Sequence, residues 1–231
     1  MPNNDLLARW AQQPGSHVFT HRDATATSAP GFLGRDRLVL TGPAEHLAIL
    51  LPGVLRTITP GHQLLADTAT LHALTAQLHG LHLIDRTVCL MSTATPPEPV
   101  GPAAWYHGPA RDIEHLLDAA WPSSKARPGV NGVNRWACTR DSTGRLLSVA
   151  ADAWSTPSIG AMSGLATHPD RQGSGHGRAV AAFLLAQLLQ DHDHAVLLVA
   201  AHYQPAIRLF RNLGLTTRTL STARILPRAR T

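Results

Sequence analysis

A short stretch, LATHPDRQGSGHGRAV at residues 165–180, connects two segments of different periodicity. Before it, GAMSGLAT is short and mostly apolar, which favours a buried strand. After it, apolar residues recur with helical spacing at Val180, Phe183, Leu184 and Leu188. Glycines at 173, 175 and 177 mark the turn between the two segments. A strand, a glycine-rich turn and a helix in this order predict an α/β fold.

A proline-rich stretch, STATPPEPVGP at residues 92–102, divides the chain. Its four prolines fix φ and remove backbone donors, so it can continue neither a helix nor a central strand. A chain of 231 residues, 44% of them hydrophobic, is long enough for one large domain or two small ones. We therefore predict an N-terminal α/β domain at residues 1–95, a linker at 96–102 and a second domain at 103–231.

Both segments alternate predicted helices and strands, without a convincing sequence repeat. The first contains a helix at DLLARWAQ, a strand at DRLVLTG, helices at PAEHLAILLPGVL and DTATLHALTAQLHG, and one or two strands at LHLIDRTVCLMST. The second contains a strand at AAWYHG, a helix at ARDIEHLLDAAWP, a hairpin over NRWACTRD and RLLSVAADAWS, and the strand GAMSGLAT. A helix over 177–189, a strand at HAVLLVAA, a helix at PAIRLFRNLG and one or two strands at TTRTLSTARIL follow.

Charge and composition exclude several classes of protein. The net charge is +5, and Lys125 is the only lysine. The cations form no dense stripe and aromatic residues are 5% of the chain, which argues against nucleic-acid binding. No apolar run reaches the roughly 18 residues of a membrane span, and no signal peptide is recognised, so we expect a cytoplasmic protein. Cys89 and Cys138 are expected to be buried free thiols, with a disulfide or a catalytic thiol as the alternatives.

The glycine turn has the chemistry of an anion site. Glycines remove the Cβ atoms that would hold a ligand away from the backbone, and the amide N–H groups at a helix start lack partners. The helix dipole adds about half a positive charge. Arg171 and Arg178 can add charge-assisted contacts. Close packing alone would also explain such glycines, and neither the P-loop nor the dinucleotide-binding pattern is present.

Two motifs together resemble the GNAT superfamily of N-acetyltransferases. Its Q/R-x-x-G-x-G/A pattern is matched by Gln172, Gly175 and Gly177, and its N-x-x-A-x-x-L-Y pattern corresponds to YQPAIRLF within YQPAIRLFRNLGL. The resemblance covers Trp105 to Leu226. It implies an α/β (α+β) fold with a mixed, partly splayed sheet flanked by helices. SGLATHPDRQGSGHG is similar to a bacterial subgroup with a divergent first half, which implies two tandem GNAT-like halves.

The resemblance also implies a mechanism and a cosubstrate, acetyl-CoA. Its pyrophosphate is expected on the amides from Gly173 to Arg178, and a backbone N–H near Leu165 or Ala166 is expected to polarise the thioester carbonyl. An amine of a small molecule attacks directly, within a ternary complex. The cofactor-binding residues implied are Leu165, Ala166, Thr167, Gln172, Gly173, Ser174, Gly175, His176, Gly177, Arg178, Tyr203, Ala206 and Phe210.

The sequence departs from the family at its catalytic positions. Phe210 stands where a tyrosine often protonates the thiolate, and Tyr203 replaces the asparagine that opens the second motif. Ala161 and Ser163 lie where the fourth strand usually carries an acid. The candidates for proton transfer are therefore Asp152, His168 and Tyr203. Asp152 lies in an apolar strand, where edge exposure or a structural hydrogen bond would also explain it.

Other signals are weaker. His176 is expected beside the phosphates without a chemical role. Trp136 and Trp154 line either an acceptor pocket or the core. The 14 histidines include DHDH at 191–194, but no motif there supports a metal site, and we expect no metal. Two functions remain open: an N-acetyltransferase acting on a small amine, or an acyl-CoA-binding sensor that has lost turnover. A homodimer is left open.

Overall fold

The computed structural model describes residues 5–225, apart from the side chains of residues 85 and 86. The outer ends of the two predicted domains, residues 1–4 and 226–231 with Leu226, lie outside the described residues. The described helices and strands, in chain order, are α1 (Leu6–Trp10), β1 (His17–His21), β2 (Ala24–Ala29), β3 (Arg37–Thr41), α2 (Ala44–Thr57), β4 (Gln63–Asp67), α3 (Thr68–Gln77), β5 (Leu81–Thr93), β6 (Ala104–Trp105), α4 (Ala110–Ala120), β7 (Val133–Arg140), β8 (Leu146–Ala153), β9 (Ile159–Thr167), α5 (His176–Asp191), β10 (His194–Ala200), α6 (Gln204–Asn212) and β11 (Thr216–Ile225).

The chain forms two compact units that do not follow the linear division exactly as predicted. Among the described residues, the first unit holds those up to Leu90, together with Val199–Gln204 and residues 218–225. The second unit holds Met91–Leu198 and Pro205–Thr217. Most of the last strand, β11, is therefore part of the first unit, although it follows the second in sequence. The linear domain boundaries stay a prediction.

The sheet of the first unit has the strand order β1-β2-β3-β4-β11-β5. Strands β1, β2 and β3 are antiparallel neighbours, whereas β4 lies parallel to β3. The apolar face of α2, with Leu47, Leu51 and Val54, packs in a core with buried residues of β3, β4 and α3. This arrangement confirms the predicted mixture of helices and a mixed sheet.

An arginine connects three elements of the first unit. Arg218 of β11 donates from Nη1 to Asp5 Oδ2 at 2.6 Å and from Nε to Asp67 Oδ1 at 2.6 Å. Asp5 also caps α1, because its Oδ1 accepts from the amides of Leu7 and Ala8 at 2.9 and 3.1 Å. The hydrogen bonds with Asp67 are the main cause of a raised Arg218 pKa. Asp67 thus occupies the N-cap position of α3 while its carboxylate bonds to Arg218 and not to the helix.

The sheet of the second unit has the strand order β10-β9-β8-β7-β6. Strands β6 to β9 are antiparallel, and β10 lies parallel to β9. The predicted hairpin is confirmed as β7 and β8, and α4 packs its apolar stripe of Ile113, Leu116 and Leu117 inward. The proline-rich residues 96–102 are in neither a helix nor a strand.

The two halves of the chain repeat one order of elements. In each, three antiparallel strands lead to a helix, then to a strand parallel to the third, then to another helix and a last strand. The strands are β1 to β5 in one copy and β7 to β11 in the other. This internal repeat is not visible in the amino-acid letters, and it supports the prediction of two GNAT-like halves.

Several strands differ from the sequence prediction. Strands β1, β2 and β4 were not predicted, because their short Thr-, Ala- and His-containing segments lack a clean apolar alternation. The segments LHLIDRTVCLMST and TTRTLSTARIL each form a single strand, β5 and β11, where one or two were expected. The long helix begins one residue earlier and ends two residues later than predicted.

Candidate functional site

The turn between β9 and α5 leaves its backbone open. After β9, a short 3-10 turn at Pro169–Arg171 leads to Gly173 and Gly175, whose φ angles are +77° and +84°. Only glycine adopts these angles without strain. A Cβ atom built on either residue would meet nothing within 4 Å. These two glycines therefore frame an open concave backbone, which is the shape that an anion needs in order to reach the amides.

The electrostatics of this turn favour an anion. Gly175 is the N-cap of the 16-residue helix α5 and, having no side chain, leaves the first helical amides without a side-chain cap. Residues 172–175 are exposed, and His176 and Gly177 are half-buried. Arg171 and Arg178 are exposed, and neither forms an ion pair with a carboxylate in residues 5–225. The helix dipole, the free amides and the free guanidinium groups thus all make the electrostatic potential at this turn more positive, which favours the binding of an anion.

The third glycine of the turn has a different role. The Oγ1 atom of Thr167 lies 3.0 Å from the position of a Cβ on Gly177. That hydroxyl is held 3.0 Å from Ser148 Oγ, which donates to the carbonyl of Ala166 at 2.9 Å. Gly177 is therefore needed for the close packing of the first turn of α5 against the end of β9. The packing explanation holds for this glycine, whereas Gly173 and Gly175 face open space.

Strands β9 and β10 separate beside this turn. Their parallel register covers only Ile159 with His194, Gly160 with Ala195 and Ala161 with Val196. Beyond Ala161, β9 continues to Thr167 without a recorded partner on that side. Ser163, Leu165 and Thr167 are half-buried, and they alternate with buried residues. The sheet is therefore splayed as expected, and backbone groups along this part of β9 can pair with an extended ligand.

Strand β9 contains a bulge at Gly164. The register with β8 shifts between the pairs Val149–Ala166 and Ala151–Ser163, so β9 holds one extra residue. Gly164 has φ +64°, and a Cβ there would lie 3.1 Å from both Ala126 Cβ and Trp136 Cη2. The sequence prediction missed this residue, although a single glycine inside a strand pattern is a recognised signal of a bulge.

The Asp152 carboxylate is buried and fully engaged within the protein. Its side chain is 6% exposed. Oδ2 accepts from Arg135 Nε at 3.1 Å, and Oδ1 accepts from Ser155 Oγ at 2.6 Å and from Asn134 Nδ2 at 3.5 Å. Ser155 Oγ in turn accepts from the amide of Ala161 at 2.8 Å. These bonds favour the structural role that was its alternative, because both carboxylate oxygens already accept hydrogen bonds within the protein.

The His168 ring is likewise held by neighbours. Nε2 lies 2.6 Å from Arg145 Nη2, and Nδ1 lies 3.6 Å from Asp170 Oδ2. Because a guanidinium only donates, Nε2 must accept from Arg145. Nδ1 lies 3.3 Å from the backbone amide nitrogen of Asp170. The lone pair that a general base would use is therefore taken by Arg145.

The remaining predicted residues lie on or beside α6, β7 and β8. Phe210 is 3% exposed and belongs to the core, whereas Ala206 is half-buried. Tyr203 is 54% exposed and belongs to the first unit, just before α6. Trp136 and Trp154 are buried, which favours core packing. The catalytic and cofactor roles of these residues stay predictions.

Other chemistries have little support in the described residues. Cys89 and Cys138 are buried free thiols, as expected, and burial is the main cause of a raised Cys138 pKa, which disfavours the reactive thiolate. Within residues 5–225, no group of three or more metal-ligating side chains converges. No helix in that range is long and apolar enough to cross a membrane.

Comparison with known proteins identifies the fold. Residues 142–225 match the model of the FR47-like protein family. A GCN5-related N-acetyltransferase from Kribbella flavida is similar with a TM-score of 0.67 and 15% identity, over 97% of each chain. A putative GNAT-family acetyltransferase from Novosphingobium aromaticivorans has a TM-score of 0.57 and 18% identity, covering 83% of this chain and 88% of its own.

The fold is that of the GNAT superfamily. A tandem GNAT protein from the clavulanic acid biosynthesis pathway is also similar, with a TM-score of 0.50 and 12% identity, over 94% of this chain and 86% of its own. The comparison with curated proteins gives no match. The fold that the resemblance of the two motifs implied is confirmed. Within the GNAT fold, the open turn and the splayed strands of the second unit lie where the sequence motif placed them.

Proposed function

We propose that this protein is an N-acetyltransferase that binds acetyl-CoA on the turn from Gln172 to Arg178 and acetylates an amine of a small molecule. One observation carries the proposal: Gly173 and Gly175 leave an uncapped helix start open, beside a strand that has lost its parallel partner. The family model over residues 142–225 and the GNAT-fold structures support acyl transfer as the reaction class.

The residues present fit a pyrophosphate-bearing ligand. Amides from Gly173 to Arg178 would hold the diphosphate, and the Arg171 and Arg178 side chains would add charge-assisted contacts. The edge of β9 from Ser163 to Thr167 would pair with an extended chain. When bound, acetyl-CoA would supply an acyl group activated as a thioester. The N–H of Leu165 or Ala166 is proposed to donate to the thioester carbonyl oxygen.

Proton transfer is the step for which the chain offers the fewest candidate side chains. Asp152 and His168 are both engaged within the protein. We therefore propose that water takes the proton of the amine, and that positioning supplies most of the rate. The exposed phenol of Tyr203 is the remaining side-chain candidate to protonate the departing thiolate, since Phe210 has no proton to give and is buried.

A second function is favoured by the same observations. A chain with an open anion site, a buried Phe210 and no free base suits an acyl-CoA-binding sensor that has lost turnover. Steady-state release of free thiol, measured with acetyl-CoA and a panel of amines, separates the two. We expect release above the hydrolysis background with at least one amine. If calorimetry records acetyl-CoA binding while no amine raises thiol release, the enzyme proposal is wrong and the sensor remains.

The cytoplasmic location and the small-molecule acceptor belong to the same proposal. They are supported by the spread of charges and by the lack of a membrane-spanning helix in the described part of the chain.

A further inference from the structure

The second unit contains a cavity that the proposed transfer reaction does not use. It has a volume of about 470 Å³ and lies between the first turns of α4, the turn joining β7 to β8, and the residue that follows β9. This volume is within the range of small-molecule sites. Leu116 and Leu146 form a buried apolar floor, while the walls are polar.

Opposite charges stand in different walls of this cavity. Asp112 comes from α4, and Arg145 comes from the β7–β8 turn. No ion pair joins the two among the recorded contacts of residues 5–225. Two polar walls of opposite sign match a ligand that carries both charges, because a simple anion would face Asp112 and a simple cation would face Arg145.

The Asp112 carboxylate retains bonding capacity. Its Oδ2 accepts from the Tyr106 hydroxyl at 3.0 Å, which fixes the orientation of the group. Its Oδ1 has a single recorded neighbour, Arg111 Nε at 3.9 Å, and that arginine side chain is 76% exposed. A pair at this distance and exposure is weak. Oδ1 is therefore available to accept from a ligand ammonium.

The Arg145 guanidinium also retains bonding capacity and is held in place. It uses Nη2 to donate to His168 Nε2 at 2.6 Å, which leaves most of its five N–H donors free. The nearby Asp141 carboxylate accepts from the backbone amide of Arg145 and from Thr143, within its own turn. This hydrogen bond joins Arg145 to His168, and both residues line the cavity. His115, on the α4 wall, adds a further polar group.

We propose that this cavity binds a free amino acid or a similar small zwitterion, with its ammonium at Asp112 and its carboxylate at Arg145. The site is separate from the point of acyl transfer. His168 lies two to three residues beyond Ala166 and Leu165, whose amides are proposed to meet the thioester, and a strand rises about 3.3 Å per residue, so this wall of the cavity is about 7–10 Å from that point along the chain. The proposal does not depend on acetyl-CoA binding.

Calorimetry with single amino acids tests this site. For the tightest binder, we compare the α-carboxamide, which lacks the anionic group, and the N-acetyl derivative, which lacks the ammonium. Each derivative is expected to bind about tenfold more weakly or worse, because one wall then loses its charge-assisted contact. Asp112→Asn and Arg145→Gln are each expected to cause a similar loss. Arg127→Gln, which breaks the exposed pair with Asp118 outside the cavity, serves as the control and is expected to bind normally.

Several results would overturn the proposal. They are the lack of binding by any amino acid at millimolar concentration, binding of the carboxamide and the N-acetyl derivative as tight as that of the unmodified amino acid, and unchanged binding by Asp112→Asn and Arg145→Gln whose thermal melts match the parent protein. Acetylation of the bound amino acid would contradict its separation from the transfer site. Gly175→Val, designed to block acetyl-CoA, is expected to keep amino-acid binding, so this proposal and the proposed function fail independently.

Discussion

Two turns at equivalent places in the two units differ in whether they leave room for an anion. Each joins the third strand of its unit to the following helix: β3 to α2 in the first unit, and β9 to α5 in the second. The second turn presents Gly173 and Gly175 to open space. In the first turn, a Cβ on Gly42 would collide with the carbonyl oxygen of Asp23, and the N-cap is Pro43, which has no N–H. The first turn is therefore filled where the second is open.

The strands before these turns differ in the same way. Strand β3 pairs with β2 over five consecutive residues without a shift, whereas β9 carries the bulge at Gly164. The same topology thus occurs with an open turn and a bulged strand in the second unit, and without these two features in the first. Both features are ones that the proposed acyl-CoA site needs. The comparison teaches that the GNAT fold alone does not make the site, and that the first unit is expected not to bind acetyl-CoA.

The largest effect is expected from making the second turn resemble the filled one. Gly175→Val places two methyl groups in the open space, and we expect acetyl-CoA affinity to fall about 100-fold or more as the amides become inaccessible. Valine at this positive φ also strains the backbone by about 1–2 kcal/mol.

Gly129→Val is the matched control for that strain, because Gly129 has φ +78° and open space around it. Calorimetry of both variants separates strain from blockage. Equal acetyl-CoA affinity in Gly175→Val and the parent protein would remove the turn from this account.

A second variant tests the bulge that distinguishes β9 from β3. Gly164→Ala forces a non-glycine residue into φ +64° and brings its Cβ within 3.1 Å of Ala126 and Trp136. We expect a loss of about 2–3 kcal/mol in the free energy of unfolding, followed by chemical denaturation. A loss below about 0.5 kcal/mol would mean that the bulge is not fixed by this glycine.

A third variant compares the arginine-centred ion pairs of the two units. Arg218 joins Asp5 and Asp67 in the first unit, as Arg135 joins Asp152 and Asp191 in the second. Asp152→Asn is expected to cost about 1–2 kcal/mol of stability, a modest value because the Arg135 side chain is 43% exposed to solvent. Turnover per folded molecule should stay unchanged. A large fall in kcat with unchanged stability would restore Asp152 as a catalytic base.

A fourth variant tests how the open turn is held. Thr167→Val removes the hydroxyl that contacts Ser148 while keeping the shape of the side chain. We expect a loss of about 1 kcal/mol in stability and a severalfold weaker acetyl-CoA affinity, because the end of β9 and the start of α5 are then less fixed. Ser148→Ala should behave alike. Additive effects in the double variant would show that the two hydroxyls do not act as a pair.

The smallest effect is expected in the first unit. Pro43→Ala restores an N–H to the filled turn, yet the Asp23 carbonyl oxygen still occupies the space beside Gly42. We expect acetyl-CoA binding to stay at its original stoichiometry, with a change in stability of about 0.5 kcal/mol or less. Appearance of a second binding event would show that the missing donor, and not the filled space, disables this turn.

The sequence predicts the second unit better than the first for a physical reason. Helices α4 and α5 and strand β10 have clear apolar periodicity, so their residues alone indicate them. Strand β2 is buried throughout but consists of Ala, Thr and Ser, and such residues give little hydrophobic signal. The pairing of β11 with β4 joins residues about 150 positions apart, which no local pattern reveals.

The residues of the candidate site also differ in how far the local sequence predicts them. The role of the glycines at 173 and 175 can be predicted from the local sequence, because a strand, glycines and a helix follow one another. Strand register decides which side chains meet across the sheet. It brings Thr167 to Ser148, the Asp152 carboxylate to its hydrogen-bond donors, and His168 to Arg145. Register is set by the whole sheet, so these partners could not be assigned from the sequence.

The most direct test of the central claim is the stoichiometry of acetyl-CoA binding, measured by titration calorimetry on the full chain. The account predicts one site per chain, lost in Gly175→Val and retained in Pro43→Ala. Two sites per chain, or a single site that survives Gly175→Val, would contradict it.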